Sequence, residues 1–487
     1  MVYYKSKLKP FMHNPNISPR RRQLILLLSY TMMTIMVFVI SAICLFLILG
    51  YRFNVEDRSF AQGGLVQFRS VPSDVSVTVD DKKLSFTTPG KLNIPTGPHT
   101  VSFTKDGYLP WRKKVDIAPG ELRWLNYARM IPQSIITSDA LRFDSYGDSL
   151  PTPDRGFVAL LQSKSKPTVT MIDIRDKDKI KTSTITLDEE FLPVEKASYS
   201  LAQWDANSKF LLMKATYDGG KKNDYIRVDR TKANGKPVNI TRSVGLSLDD
   251  LTFFKDSSSV FYAQTGNSLR RVNLSDETIS SPLVSDVDQF YIANNGDIAF
   301  TATRDGSQVS GLYSEGDETI VQTNTEKDTH ITAVGSYYDD AYMAMLHGAS
   351  LAIVKSPETK NDEAGRTFAS LELDFKPTQL TFSPGERFVV ASNDTKLQVY
   401  DLETDSLHEV KLKTTNDELQ WLDSYYLYET RDGSLVTTEF DGSNRHAITK
   451  IIPESDVTLS DDGSFIYSFN KSSNGVSFER SQLILDD

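Results

Sequence analysis

Hydrophobic patterning divides the chain into three regimes. From Leu24 to Gly50 the sequence LILLLSYTMMTIMVFVISAICLFLILG runs 27 residues without an Asp, Glu, Lys, Arg or His, and it shows no polar stripe at helical spacing. A helix rises about 1.5 Å per residue, so about 20 residues cross the roughly 30 Å hydrocarbon core of a bilayer. This run is long enough to cross with some tilt. The hydroxyls of Ser29, Thr31, Thr34 and Ser41 can bond to a carbonyl one turn earlier, which makes them cheap in lipid. A cleaved signal carries about 7–15 apolar residues and a small-x-small site. This run is longer and no such site follows Gly50. The pattern predicts a retained transmembrane helix over residues 24–50.

From Leu65 the period falls to two. Val75, Val77 and Val79 alternate with Ser76, Thr78 and Asp80; Val101 and Phe103 alternate with Thr100, Ser102 and Thr104; Val115 and Ile117 follow. Alternation marks half-buried strands. Turn signals punctuate them: Val71-Pro72-Ser73-Asp74, Asp80-Asp81-Lys82, Thr88-Pro89-Gly90, Pro95-Thr96-Gly97-Pro98 and Asp106-Gly107. Residues 65–132 are expected to form a small antiparallel sandwich or barrel, reached through a linker at 51–64.

Residues 133–487 repeat one signature: an alternating strand, a tight polar turn and an apolar strand. The apolar strands open at Phe157, Phe210, Val260, Ile298, Tyr342, Phe388, Tyr426 and Phe465, at intervals of 38 to 53 residues. A period of about 40–50 residues with about four strands per unit predicts a β-propeller. Eight markers point to eight blades, with seven as the alternative. The last unit is short, and a strand from Ser134–Thr137 or Ala140–Phe143 is expected to complete it and remove the exposed edges. The fold class is therefore mainly β: one N-terminal transmembrane helix, a small sandwich, then a propeller.

Two resemblances rest on these residues. The order VPSDVSVTVDD, TTPGKLNIPTGPHTVSF, KDGYLPW and KKVDIAPGE is similar to a PEGA domain, with Thr88-Pro89, the Gly97-x-His99-x-Val101 turn and Gly107-Tyr108 as its strongest pieces. The tetrapeptide that names that family stands here as Pro72-Ser73-Asp74-Val75, and its usual Asp-Gly turn as Asp80-Asp81. The likeness implies a surface or envelope module of bacteria with a structural, spacer or binding role and no catalytic residues. The repeats resemble WD40-like and TolB-like propellers: Ser383-Pro384-Gly385-Glu386 and Ser460-Asp461-Asp462-Gly463 echo their S-P-D-G turn.

Charge sets the expected topology. Lys5, Lys7, Lys9, Arg20, Arg21 and Arg22 precede the apolar run with no acid among them, whereas Arg52, Glu56, Asp57 and Arg58 follow it. Basic residues stay on the cytoplasmic side, so residues 1–23 are expected as a cytoplasmic basic tail of a single-pass plasma-membrane protein, with the rest extracytoplasmic. Residues 133–487 hold 36 basic and 56 acidic side chains, which argues against nucleic-acid binding. The only cysteine, Cys44, lies inside the apolar run. Disulfides, thiol catalysis and Cys-ligated zinc are thereby excluded from the exported part.

Candidate chemistry is sparse. Gly147-Asp148-Ser149-Leu150 spells a GDSL motif and Asp405-Ser406-Leu407-His408 a D-x-x-H. A hydrolase would need Ser149 as nucleophile, His408 as base and Asp405 to orient it, but those enzymes place the serine before a helix and no helical period occurs here. Ser163-Lys164-Ser165-Lys166 matches S-x-x-K without a helix to align it. The six histidines, His13, His99, His330, His347, His408 and His446, show no i+2 to i+4 pairing. His99 reads as a turn-packing residue. Asp173, Asp176 and Asp178, Asp339 and Asp340, and Asp461 and Asp462 read as turn caps rather than calcium ligands. No metal, cofactor or catalytic set is expected.

Loops joining second and third blade strands are the candidate binding surface: Asp218, Lys221, Asn267, Arg304, Asp305, Asn393, Asp394, Arg431, Asp432 and Lys471. The expected function is a membrane-anchored extracytoplasmic binding or scaffold protein, embedded in the bilayer through Leu24–Gly50 and engaging an envelope protein or glycan. An envelope hydrolase with a site in the propeller channel and a structural surface module without a specific ligand are the alternatives.

Overall fold

The structure is a computed structural model that describes residues 19–48, 51–54, 59–231, 237–325, 328–358, 367–411 and 420–485. Most of the basic tail expected over 1–23 lies outside the described residues, as does Gly50. The chain divides into two compact units, residues 1–104 with 113–128, and residues 105–112 with 129–487.

In the first unit the apolar run forms a helix, Pro19–Ile48. Its large side chains from Leu24 to Phe46 are exposed. By length and composition Gln23–Phe46 can cross a membrane. The hydroxyls behave as their positions predict: Ser29 donates to the Leu26 carbonyl (2.8 Å), Thr31 to Leu27 (2.9 Å) and Thr34 to Tyr30 (2.8 Å). Each of these hydroxyls thus donates within the helix itself.

Among the described residues this unit is built on two antiparallel sheets. One orders Tyr51–Asn54, Ser59–Val71 and Gly90–Pro95, with Leu122–Arg129 also on Ser59–Val71; the other orders Lys82–Thr87, Ser76–Val79, Gly97–Thr104 and Trp111–Ile117, the end residues Trp111, Arg112 and Arg129 counting with the second unit. Val75, Val77, Val101 and Phe103 are fully buried, as their alternation predicts. Phe68 of the first sheet meets Phe86 and Phe103 of the second at ring distances of 6.1 Å, so the two sheets face each other across these rings. The buried Thr88 staples the turns: its hydroxyl lies 2.6 Å from Ser70 Oγ and accepts from the Val75 N–H at 3.1 Å. Thr88→Val keeps the shape and orphans that N–H, so it should lower stability by about 1–3 kcal/mol. A chemical-denaturation midpoint equal to that of the parent chain would contradict this assignment. His99 is held in its turn, with Nδ1 2.5 Å from Asp80 and Nε2 2.8 Å from the Pro95 carbonyl.

The second unit contains eight antiparallel sheets in chain order among the described residues. Their first strands are Asp148–Pro151, Ser198–Trp204, Asp250–Phe253, Val287–Ile292, His330–Tyr337, Gln379–Phe382, Gln420–Trp421 and Thr458–Leu459. Each sheet is a four-stranded meander, and the third carries a fifth short strand, Val284–Ser285. In the eighth, the fourth strand comes from the start of the unit: Thr137–Phe143 pairs with Gly475–Gln482. Of the two positions expected for this closing strand, the structure uses Ala140–Phe143 and extends it back to Thr137.

Packing runs around a ring. Phe157, Met171 and Ile185 of the first sheet share a core with Tyr199, Trp204 and Met213 of the second. Leu212 and Tyr225 of the second join Phe253 and Phe261 of the third. Tyr262 and Leu269 join Phe300 of the fourth, and Ala299 and Leu312 join Met343 and Met345 of the fifth. Ile331 and Tyr342 then meet Phe382 and Tyr400 of the sixth. Phe388 stacks on Phe440 of the seventh at 4.3 Å, and Tyr428 packs with Ile466 of the eighth. Tyr467, Phe469 and Phe478 of the eighth return to Val158, Leu160 and Ile172 of the first. This closed succession is the β-propeller.

Because each sheet is covered on both faces, Leu397, Gln398, Val399 and Tyr400 are all buried although successive side chains point to opposite faces. The repeated turn explains the phenylalanines. Phe157, Phe388 and Phe465 each donate their N–H to a hydroxyl five residues earlier (Thr152, 2.9 Å; Ser383, 3.1 Å; Ser460, 3.0 Å), and Phe210 donates to the Asp205 carboxylate at 2.7 Å. The fourth turn position is left-handed in all four: Arg155, Ser208, Glu386 and Gly463. Glu386 stands where the S-P-D-G pattern has glycine. Its carboxylate reaches two other sheets, accepting from the Asn294 and Ser336 N–H groups at 2.8 Å each.

Candidate binding site

The fourth and fifth propeller sheets form a polar cleft of about 470 Å³, lined by Asp288, Gln289, Thr301, Thr303, Gln308, Thr329, His330, Ile331 and Thr378. Strand register gathers them. On the fourth sheet Gln289 faces Thr301 and Thr303 faces Gln308. Between Val287 and Gln289 the register slips, so Asp288 is the extra residue of a bulge. Bulges re-aim side chains, and here Asp288 Oδ2 accepts the Thr303 hydroxyl at 2.9 Å. On the fifth sheet the pairing that starts at Tyr337 and Asp340 carries down to His330 opposite His347.

Several buried polar atoms here have no hydrogen-bond partner among the described residues: Thr301 Oγ1, Gln308 Oε1 and His330 Nδ1 on the lining, with Asn324 Nδ2, Thr332 Oγ1 and His347 Nδ1 on the same two sheets. Each such group costs about 1–3 kcal/mol if nothing pairs with it. His330 Nε2 lies 2.5 Å from the buried Ser310 hydroxyl, and its ring meets His347 edge to face at 5.9 Å. Burial, and secondarily His347, holds the His330 imidazole below its ordinary pKa against the opposing pull of Asp288. The ring is therefore neutral at pH 7. A cleft of this size falls in the range of about 300–1,000 Å³ used by small-molecule sites.

A second cavity of about 500 Å³ opens on the second sheet beside Val194, Tyr217, Asp224 and Arg242. Asp224 is already satisfied there by Tyr217 Oη (3.0 Å) and Asn239 Nδ2 (2.8 Å).

The candidate loop residues occupy second-to-third-strand positions. Asp218 and Lys221 flank the turn between Phe210–Tyr217 and Lys222–Asp229, and Asn267 the turn between Val260–Thr265 and Ser268–Asn273. Asn393 caps its own turn, accepting from the Thr395 and Lys396 N–H groups, with Asp394 beside it. Arg431 and Asp432 form the turn after Tyr426–Arg431, and Lys471 lies near the end of Phe465–Ser472. Only Arg304 and Asp305 adjoin the cleft, directly after Thr303, and Arg304 is ion-paired with Glu318. Sequence spacing missed the His330 and His347 pair because they are 17 positions apart. The hairpin turn at Tyr338-Asp339 was the available signal, since its register dictates the pairing.

The hydrolase set is not brought together. Ser149 sits on the first sheet, where it lies 3.0 Å from Tyr146 Oη and donates to Asp456 Oδ2 at 3.4 Å. His408 lies on the sixth sheet, 3.1 Å from Ser406 Oγ. Asp405 accepts from Tyr400 Oη. Among the described residues no group of three or more His, Cys, Asp or Glu side chains is placed to hold a metal ion. Asp173 pairs with Arg175, Asp176 accepts from the Asp178 N–H, Asp340 pairs with Lys355, and Asp462 accepts from Ser460 and the Ser464 N–H.

No curated protein matches this chain. Among solved structures, an oligogalacturonate lyase in complex with manganese is 12% identical, covering 70% of this chain and 98% of its own, with a TM-score of 0.39. Apo AztD from Citrobacter koseri is 10% identical over 79% of this chain and 96% of its own, with a TM-score of 0.40. The Dos1 propeller is 12% identical over 72% and 94%, with a TM-score of 0.41. Residues 64–130 match the PEGA domain family, so the chain joins a PEGA domain to a β-propeller behind one N-terminal apolar helix.

Proposed function

We propose that this protein is a membrane-tethered binding protein of the cell envelope, with the apolar helix as a retained anchor, the N-terminus in the cytoplasm and the propeller presenting a ligand site outside. The observation that carries this reading is the polar cleft of sheets four and five, whose buried Thr301, Gln308 and His330 atoms lack partners. Folded proteins rarely keep such groups idle unless water or a ligand satisfies them. The PEGA domain and the exposed apolar helix support placement at an envelope surface, and the basic flank supports the orientation.

The test has two arms. Protease added to intact cells should remove the propeller while leaving the tail protected. The full chain in detergent should retain envelope protein or glycan and show no turnover of ester, glycoside or peptide substrates. Turnover abolished by Ser149→Ala would replace this reading with the hydrolase one.

A further inference from the structure

We infer that the cleft between sheets four and five takes a neutral, polyhydroxylated ligand, such as a short stretch of saccharide, and this deepens the binding-protein reading on which it rests. Recognition chemistry follows from the lining. Its polar groups are almost all uncharged: threonine hydroxyls, carboxamides and the imidazole of His330. Among the described residues no Lys or Arg lines it, and the one charge is the carboxylate of Asp288. An anionic ligand would therefore lack a counter-charge and face repulsion. Among the described residues Ile331 is the one apolar side chain on the wall, so an apolar ligand would strand the polar groups without partners.

A hydroxyl-rich ligand fits on three counts. It both donates and accepts, so it satisfies the Gln308 Oε1 acceptor, the Thr301 hydroxyl and whichever role His330 Nδ1 takes opposite Ser310. It carries no charge to desolvate in a site where the imidazole is itself neutral. Its several hydroxyls match several unpaired atoms at once, which one water does not. Asp288, re-aimed by the bulge and holding Thr303, supplies one strong acceptor at the wall.

The absence of partners makes the test clean. Thr301→Val and Gln308→Leu each remove a buried polar atom that pairs with no described residue, so both should fold as well as or better than the parent. The full chain in detergent micelles is titrated with neutral mono- and disaccharides, galacturonate, inorganic phosphate and spermidine, followed by saturation-transfer NMR and calorimetry. Saturable binding of a neutral saccharide is expected. Each variant should weaken it about tenfold or more, with an unchanged or higher melting temperature, and galacturonate and phosphate should not compete. Binding of no saccharide would mean that water alone fills the cleft and would overturn the inference. So would preference for spermidine, or saccharide binding indifferent to both variants. If an envelope protein is still retained while no saccharide binds, the general binding reading stands and only this inference fails.

Discussion

Glu439→Ala should lower the stability of the second unit by about 3–4 kcal/mol, because several buried donors converge on one carboxylate. Glu439 is fully buried at the end of the strand Ser434–Glu439. Its Oε1 accepts from Trp111 Nε1, from Tyr426 Oη at 2.8 Å and from Asn444 Nδ2 at 3.0 Å, while Oε2 accepts from Ser443 Oγ at 3.1 Å. Trp111 and Tyr426 are themselves buried. Asn444 extends the network by exchanging two hydrogen bonds of 3.1 Å with the Arg112 backbone, all within the second unit. Alanine leaves the Trp111 indole N–H and the Tyr426 hydroxyl without this acceptor, while Ser443 keeps Asp441 and Asn444 keeps the Arg112 carbonyl. Glu439→Gln keeps one acceptor oxygen but turns an NH2 toward the donors, so it should fall between alanine and the parent. Trp111→Phe removes a single donor and should cost about 1–2 kcal/mol. The urea midpoint of the propeller transition measures all three. A Glu439→Ala midpoint within about 1 kcal/mol of the parent would remove this carboxylate as an organising centre.

The second large effect depends on pH. Asp456 precedes the first strand of the eighth sheet, and Asp148 and Ser149 lie on the first strand of the first. Burial, and then the neighbouring Asp148 charge, pushes the Asp456 carboxyl up to about 7, against a lowering hydrogen bond from Ser149. Asp148 is also raised, chiefly by burial, although it accepts the Leu201 N–H at 2.8 Å. The remaining groups at this junction are the hydroxyls of Tyr146 and Tyr428, with Lys164 acting on Asp148. A carboxyl whose folded pKa lies above its unfolded value makes the folded state hold the extra proton between about pH 4 and 7. Stability is thus fully present below pH 4 and declines as pH rises through 7. Asp456→Asn keeps the shape without the charge. It should match the parent near pH 4 and exceed it by about 2–3 kcal/mol at pH 8, with allowance for partial exposure. A stability difference that is flat with pH would show that the carboxylate is comfortably solvated at this seam.

What could be read from the chain divides along physical lines. Local patterns were legible. The apolar run became a helix, the alternating valines became the sandwich core, and seven of the eight marker residues, from Phe157 to Phe465, open a second strand. The eighth, Tyr342, falls two residues inside Asp340–His347 because its hairpin turns early. These features follow from neighbours within a few residues. The cleft was not legible, because Thr301, Gln308 and His330 look like ordinary strand residues until register and sheet order bring them together. Glu439 and Asp456 read as lone acids for the same reason. The loop residues lie between second and third strands as the repeat implied, and two of their charges sit in local pairs, Asp218 with Lys222 and Arg304 with Glu318.

The closing strand bears on how the molecule is made. Thr137 and Ser481, 344 positions apart, share a hydroxyl contact of 2.8 Å. Pairing over so long a span is slow and late, since its loop entropy is spent before its contacts form. During synthesis Thr137–Phe143 emerges early and must wait, as an open edge, for Gly475–Gln482 to arrive. A copy cut short of Gly475 therefore keeps a permanently unpaired strand beside its first sheet, the kind of edge that invites aggregation and degradation. Ring closure thus waits on synthesis: Thr137–Phe143 gains its neighbour only once Gly475–Gln482 has been made.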